Sequence, residues 1–277
     1  MAAIVGLHAL PARAVPAGYL LTLADEFDGS ALDAGIWDHR FPGPRRQAIN
    51  TPDAVRLDGA GHLVIDTWTE NGVHHTGMIG SEGRFEQTYG WFEARIDFDD
   101  APGMWSAFWL QSPDNGVLIG DPEHAGVEMD IVEHDLFTSV TTQPTWHGAL
   151  HWDGYGADHK MSDFLEPIPG LGDGFHTYAL EWSPTALRFY YDDALVWDAS
   201  AGPISRRSEY LILSSEVESS IINTVPVGGY GLRSQSTARM VVDYVHVFAL
   251  PEPGAGLLAG MGLLALLGVG RRSGPSG

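Results

Sequence analysis

The 277-residue chain contains no cysteine. That excludes disulfides and thiolate metal sites, and it leaves the compartment open, because exported bacterial proteins often lack disulfides as well. Basic residues are scarce: 15 Lys and Arg stand against 36 Asp and Glu, for a formal charge of −21. Such a chain repels phosphate backbones and anionic membranes, so nucleic acid is not expected as a partner. Charged residues make up only 18% of the chain, while aromatics reach 10% and apolar residues 44%. This is the composition of a chain that buries a core, not of a disordered one. Between residues 20 and 250 there is no linker, no low-complexity run, no internal repeat and no sustained 3.6-residue apolar period, which reads as one domain without long helices.

Alternation is present instead. From Tyr89 to Phe98, the residues Tyr89, Trp91, Glu93, Arg95 and Asp97 fall on one face, and Phe92, Ala94, Ile96 and Phe98 on the other. That is the pattern of a half-buried strand. Comparable strands are predicted at 61–68, 104–111, 126–133, 145–152, 175–182, 185–191, 210–217 and 239–249, separated by turn signals such as Asp58-Gly59, Asn71-Gly72, Pro102-Gly103 and Asp173-Gly174. The expected fold is all-β, an antiparallel sandwich of the jelly-roll kind.

One stretch breaks the alternation. In Gly126-Val127-Glu128-Met129-Asp130-Ile131-Val132-Glu133-His134, Glu128 and Asp130 share a strand face, while Glu133, five residues from Glu128, falls on the other. A β-bulge within Ile131-Val132 would return Glu133 to the face of the other two acids, and bulges are frequent beside active sites. A helix places the three acids worse. Clustered carboxylates raise one another's pKa and cost stability. A retaining glycosidase needs such a group: two carboxyls acting as nucleophile and acid/base, with a third able to separate their protonation states. From spacing alone, acids on an exposed sheet face remain an equal reading.

The motif Glu128-x-Asp130-x-x-Glu133 resembles the bulged catalytic strand of glycoside hydrolase family 16. The likeness extends to Asp25-Glu26-Phe27-Asp28-Gly29-Ser30, the Tyr89 to Arg95 strand, Gly103 to Leu110, Phe175 to Trp182 and Val242 to Phe248, in the family's order across residues 20–250. The resemblance implies a concanavalin A-like jelly roll of two antiparallel sheets with a concave sugar-binding cleft. It also implies Glu128 as nucleophile, Asp130 as assisting acid and Glu133 as general acid/base. No cofactor is implied for catalysis, but a structural calcium on the convex face is, held by Asp243 and backbone carbonyls near the N-terminus. Trp105 and Trp109 share parity and are expected to stack on sugar rings, with core packing as the alternative. His151 resembles the family's cleft histidine, and His147 shares its parity, whereas Trp152 points towards the core. Glu93 and Arg95 could pair beside the cleft. The histidines His62, His74 and His75 lack zinc spacing and read as loop residues.

The C-terminal order Pro251-Glu252-Pro253, seventeen uncharged residues from Gly254 to Gly270, then Arg271-Arg272 resembles the PEP-CTERM sorting signal. Residues 251–277 are therefore expected to contact the membrane and an exosortase transiently, in a protein exported to the cell envelope or beyond. Residues 1–19 read as a remnant of a signal peptide, without a basic n-region. The chain is expected to be a monomer acting on polysaccharide, with β-1,3-glucan (laminarin) as the first choice. Arg40, Arg45 and Arg46 form a basic cluster, and Arg45 is the candidate contact for a sulfated substrate, so agarose, porphyran or carrageenan stands as the alternative. A non-catalytic carbohydrate-binding protein, or a structural surface protein, would leave the three acids unexplained.

Overall fold

The computed structural model describes residues 15, 17–134, 145–219 and 224–250. The sorting tail and most of the N-terminal segment lie outside the described residues. Two large antiparallel sheets pack face to face. The first, the site sheet, runs in the order Lys160–Pro167, Thr145–Trp152, Glu128–His134, Met104–Gln111, Tyr210–Val217, Met78–Gly80, Asp38–His39. The second, the outer sheet, runs Ala194–Asp198, Ala186–Tyr191, His176–Ser183, Gly90–Phe98, Arg239–Ala249, Leu63–Asp66, Val55–Leu57. Its longest strand, Arg239–Ala249, pairs along one edge with Gly90–Phe98 and along the other with Leu63–Asp66 and then Leu20–Asp25.

Alternation assigns the faces. In Gly90–Phe98, Phe92, Ala94, Ile96 and Phe98 are buried while Glu93, Arg95 and Asp97 are partly exposed. These buried residues meet Phe108, Leu110, Val127, Met129, Leu211 and Leu213 of the site sheet in one continuous core. Each such side chain contributes roughly 1.5–3 kcal/mol on leaving water. Trp91 faces the opposite way and packs with Ala179, Tyr190, Val15 and Tyr19 on the outer surface. This is the predicted all-β jelly-roll sandwich. Among the described residues the helical content is one turn of α-helix, Pro122–Ala125, and one of 3₁₀-helix, Pro52–Ala54.

A small third sheet holds Gly43–Arg45, Ala48–Asn50, Val73–Thr76 and Trp68–Glu70, with one parallel pair between the second and third. It is fastened to the site sheet where the Thr76 hydroxyl donates to the Ser215 carbonyl (2.8 Å) and Ser215 N–H donates to the Gly77 carbonyl (3.0 Å). Its Gly43–Asn50 hairpin carries Arg45 and Arg46 to the Tyr210–Val217 strand. The sequence pattern did not disclose these short strands, nor Lys160–Pro167, an edge strand whose burial shows no apolar face.

Candidate active site

The strand Glu128–His134 lies third in the site sheet and is buried along its whole length. Its register carries the irregularity that the spacing demands. Opposite Thr145–Trp152, Asp130 pairs with Ala149 and Glu133 with His147, so Ile131 and Val132 together face Gly148 alone. Opposite Met104–Gln111, Val132 pairs with Phe108 and Asp130 with Trp109, which leaves Ile131 as the extra residue. Both Ile131 and Val132 are fully buried in the core. Their burial anchors the bulge, and the parity of the strand is reset so that Glu133 returns to the face of Glu128 and Asp130.

The three carboxylates are 4–6% exposed, and each is held differently. Glu128 receives the Gln111 amide at one oxygen and the Tyr155 hydroxyl at the other. Glu133 accepts the Trp105 indole N–H at Oε1 (2.8 Å), and its Oε2 lies 3.2 Å from His147 Nδ1. On its far side, His147 Nε2 is 3.6 Å from Asp163 Oδ2. Asp130 lies between the two glutamates, and its Oδ2, 3.4 Å from His151 Nε2, makes no hydrogen bond. His151 stands directly opposite Glu128 in the register and stacks on His159, which stacks in turn on Tyr155.

Burial sets the electrostatics. It pushes Glu128 up to about 7, against the opposing effects of the Tyr155 hydrogen bond and the Arg45 charge. Burial and the neighbouring glutamates raise Asp130 well above the carboxylate range. Burial pushes Glu133 up to about 8, the Trp105 hydrogen bond opposing it and the charges of Glu128 and Glu216 adding to it. Burial also lowers His151 to about 4 and lowers His147, so both imidazoles stay neutral at neutral pH. The ordering separates the glutamates: the one clamped by two donors ionises first, and the one against Trp105 and His147 keeps its proton longer.

The other expected residues are placed as follows. Trp105 is half-buried beside Glu133, and the Arg46 guanidinium lies 4.4 Å from its ring centroid. Trp109 is half-buried on the same face, packs against Met78, Tyr210 and Ile212, and donates to Ser214 Oγ (3.0 Å). His151 is on the site face, while Trp152 packs against the core. Arg45 reaches the site but is not a free anion receptor: its Nε bonds Glu216, which is 5% exposed and also holds Arg46. Arg46 pairs further with Glu218 (3.0 Å), and Arg40 with Glu82 (2.5 Å).

One expectation is corrected. Glu93 and Arg95 form no pair and lie on the outer sheet, away from the cluster. Glu93 accepts from Trp91 Nε1 and Tyr244 OH (2.9 Å each), and Arg95 pairs with Asp243 (2.5 Å). Asp243 is on the outer sheet as well. The Arg95 guanidinium already takes one of its oxygens and His62 Nε2 lies 3.9 Å from the other. Calcium takes six to eight oxygen ligands, more than the Asp243 side chain supplies without backbone carbonyls, and no calcium role is derived. His62 bonds Asp58, His74 bonds Thr69 and His75 stacks on Trp68, as structural histidines do.

Four residues of the site escaped the sequence reading: Gln111, Tyr155, Asp163 and Glu216. Gln111 extends the Trp105–Trp109 parity by one step, and Glu216 shares the face of Tyr210, Ile212 and Ser214, so alternation could have found both. Tyr155 sits in a loop and Asp163 on the featureless edge strand, where no periodic signal exists.

Comparison with known proteins agrees with the fold. A "Beta-glucanase" of Rhodothermus marinus is 27% identical over 262 residues, 84% of this chain and 86% of that protein. A "Keratan-sulfate endo-1,4-beta-galactosidase" of Sphingobacterium multivorum is 26% identical over 253 residues, 84% of this chain and 56% of that protein. The crystal structure of a laminarinase from Flavobacterium sp. UMI-01 superposes with a TM-score of 0.64 at 22% identity, over 82% of this chain and 99% of the other. The family model described as glycosyl hydrolases family 16 matches residues 46–245, a span holding every residue of the carboxylate cluster and its donors, and the chain therefore belongs to glycoside hydrolase family 16.

Proposed function

We propose that the chain is a retaining, endo-acting hydrolase of neutral β-glucan, with β-1,3-linked glucan as its substrate. As a family 16 member it is a glycoside hydrolase. The observation that carries the mechanism is the single buried face on which the bulge gathers Glu128, Asp130 and Glu133, with different donors on the two glutamates. Between about pH 7 and about pH 8, Glu128 is ionised and Glu133 still protonated. Glu133 then donates its proton to the glycosidic oxygen as that bond breaks, while a Glu128 oxygen bonds the anomeric carbon from the opposite face. The resulting glycosyl ester is hydrolysed when the Glu133 carboxylate takes a proton from water and the water oxygen displaces Glu128. Asp130, kept protonated by burial and its neighbours, adds no third charge beside the nucleophile.

The choice of a neutral glucan rests on charge. Each arginine of the 40–46 segment faces a carboxylate already, and the chain carries a net −21, which opposes a sulfated polymer. The "Beta-glucanase" relative supports this reading, whereas the keratan-sulfate galactosidase keeps a sulfated galactan as the second one. We also propose export to the cell envelope, with residues 251–277 as the sorting segment engaged by an exosortase, on the strength of the Pro-Glu-Pro, apolar, Arg-Arg order.

The test is one panel of laminarin, lichenan, agarose, porphyran and carrageenan, assayed for reducing ends with the protein and with Glu128→Gln and Glu133→Gln. The expected result is release of oligosaccharides from laminarin and none from either variant. Unchanged release by either variant overturns the mechanism, and hydrolysis confined to the galactans overturns the substrate.

A further inference from the structure

Both oxygens of Glu128 accept hydrogen bonds, one from a strand residue and one from a loop residue. The loop is locked in place. Asp153 and Gly154 both adopt positive φ, 63° and 69°, and the Asp153 carboxylate accepts from Gly120 N–H (2.8 Å) and pairs with Lys160 (2.6 Å). Gly154 N–H donates to the side-chain oxygen of Asn115 (3.2 Å), and the amide nitrogen of that same Asn115 donates to Gln111 Oε1 (3.2 Å). One asparagine thus fastens both donors: the Gln111 amide, turned so that its nitrogen faces Glu128, and the loop that delivers Tyr155. The Tyr155 ring stacks on His159 at 5.1 Å and leaves the residue 63% exposed, with only its hydroxyl end turned to the carboxylate.

We propose that Tyr155 is a further catalytic residue, which with Gln111 forms a two-donor clamp that keeps the nucleophile Glu128 ionised and aimed, and that Asn115 is the positioning residue for both donors. The proposal rests on the assignment of Glu128 as nucleophile. A carboxylate offers about four lone-pair directions, so two donors leave room for attack on the anomeric carbon. Such donors favour the charged form of a group that burial otherwise neutralises. The groups facing Glu128 from its own strand are Asp130 and Glu133, and the Glu128 charge helps to raise both of them. Glu216 opposes its ionisation from the Tyr210–Val217 strand, Glu209 is itself raised to about 8 by burial, Arg45 assists from the hairpin, and His151 is neutral. Desolvation and the nearby Glu128 charge push the Tyr155 phenol far above its ordinary value, so it remains a donor at every working pH.

The experiment compares pH profiles of kcat/KM on the polysaccharide that the protein cleaves, for the wild type, Tyr155→Phe, Asn115→Ala and Glu128→Gln. Tyr155→Phe keeps the ring and its stacking but removes the hydroxyl. Its acid limb is expected to move up by about one pH unit or more, with about a tenfold or larger loss at pH 6 and an unchanged alkaline limb, since a hydrogen bond to a charged group is worth at least one such unit. Asn115→Ala is expected to move the same limb in the same direction. An unmoved acid limb in Tyr155→Phe, with Glu128→Gln inactive, overturns the clamp and leaves the nucleophile standing. Activity in Glu128→Gln overturns the assignment beneath it.

Discussion

Substitution of Trp105 by Phe isolates one atom. The change keeps an aromatic ring beneath the Arg46 guanidinium, 4.4 Å away in the native protein, but deletes the indole N–H that lies 2.8 Å from Glu133 Oε1. That bond favours the ionised form of Glu133 and is the largest influence opposing the burial that raises it to about 8. A hydrogen bond to a charged group contributes about 1.5–3 kcal/mol, and each pKa unit corresponds to about 1.4 kcal/mol, so its loss raises the Glu133 pKa by about one to two units. Glu133 must be protonated to act as an acid. The alkaline limb of kcat/KM, which reports the free enzyme, is therefore expected to move from about pH 8 towards pH 9 or 10, while the acid limb set by Glu128 does not rise. If Trp105 served only as a platform for sugar, Trp105→Phe would change KM and leave both limbs in place. That outcome, or a downward movement of the alkaline limb, refutes the reasoning.

Three further outcomes follow from the same geometry. Glu133 is protonated in the folded protein up to about pH 8 but ionises near the ordinary glutamate value of 4.5 when unfolded; its stabilising protonation is fully present below pH 4.5 and lost as pH rises to 8, so Glu133→Gln should exceed the wild type in urea stability by a few kcal/mol at pH 8 and by little at pH 4. Gly148 faces the bulge, and a Cβ there would lie 2.4 Å from the ring of the fully buried Trp146; Gly148→Ala should cost about 1–3 kcal/mol by urea denaturation, the range for overpacking. The Glu216 charge raises both Glu128 and Glu133 and occupies Arg45 and Arg46; Glu216→Gln should shift the whole bell to lower pH and strengthen binding of carrageenan relative to the wild type.

The legible part of this protein is the part where alternation is enforced by a core. Met104–Gln111, Thr145–Trp152, Tyr210–Val217 and Arg239–Ala249 match their predicted spans because each buries one apolar face continuously. The bulge was legible for the same reason: two buried apolar residues in succession, Ile131 and Val132, leave the next acid on the wrong face unless one of them is extra. What escaped depends on partners distant in sequence. Lys160–Pro167 owes its strand to the edge of Thr145–Trp152 and not to its own pattern. Tyr155 reaches Glu128 because Asp153 and Asn115 fasten its loop. The basic segment offered a candidate anion site, but Glu82, Glu216 and Glu218, each between 42 and 172 residues along the chain from the arginine it pairs with, neutralise it. Asp243 was likewise a residue whose partner, Arg95, lies on another strand of the same sheet.

The central claim is that the bulge turns two differently protonated glutamates onto one face for double displacement at the anomeric carbon. The most direct test is the configuration of the first product. Proton NMR of the reducing-end anomer during the first minutes of hydrolysis of a β-linked substrate should show the β signal appearing first and the α signal growing only by mutarotation. Initial appearance of the α anomer would contradict the account, because a single inverting displacement has no use for Glu128 as a nucleophile.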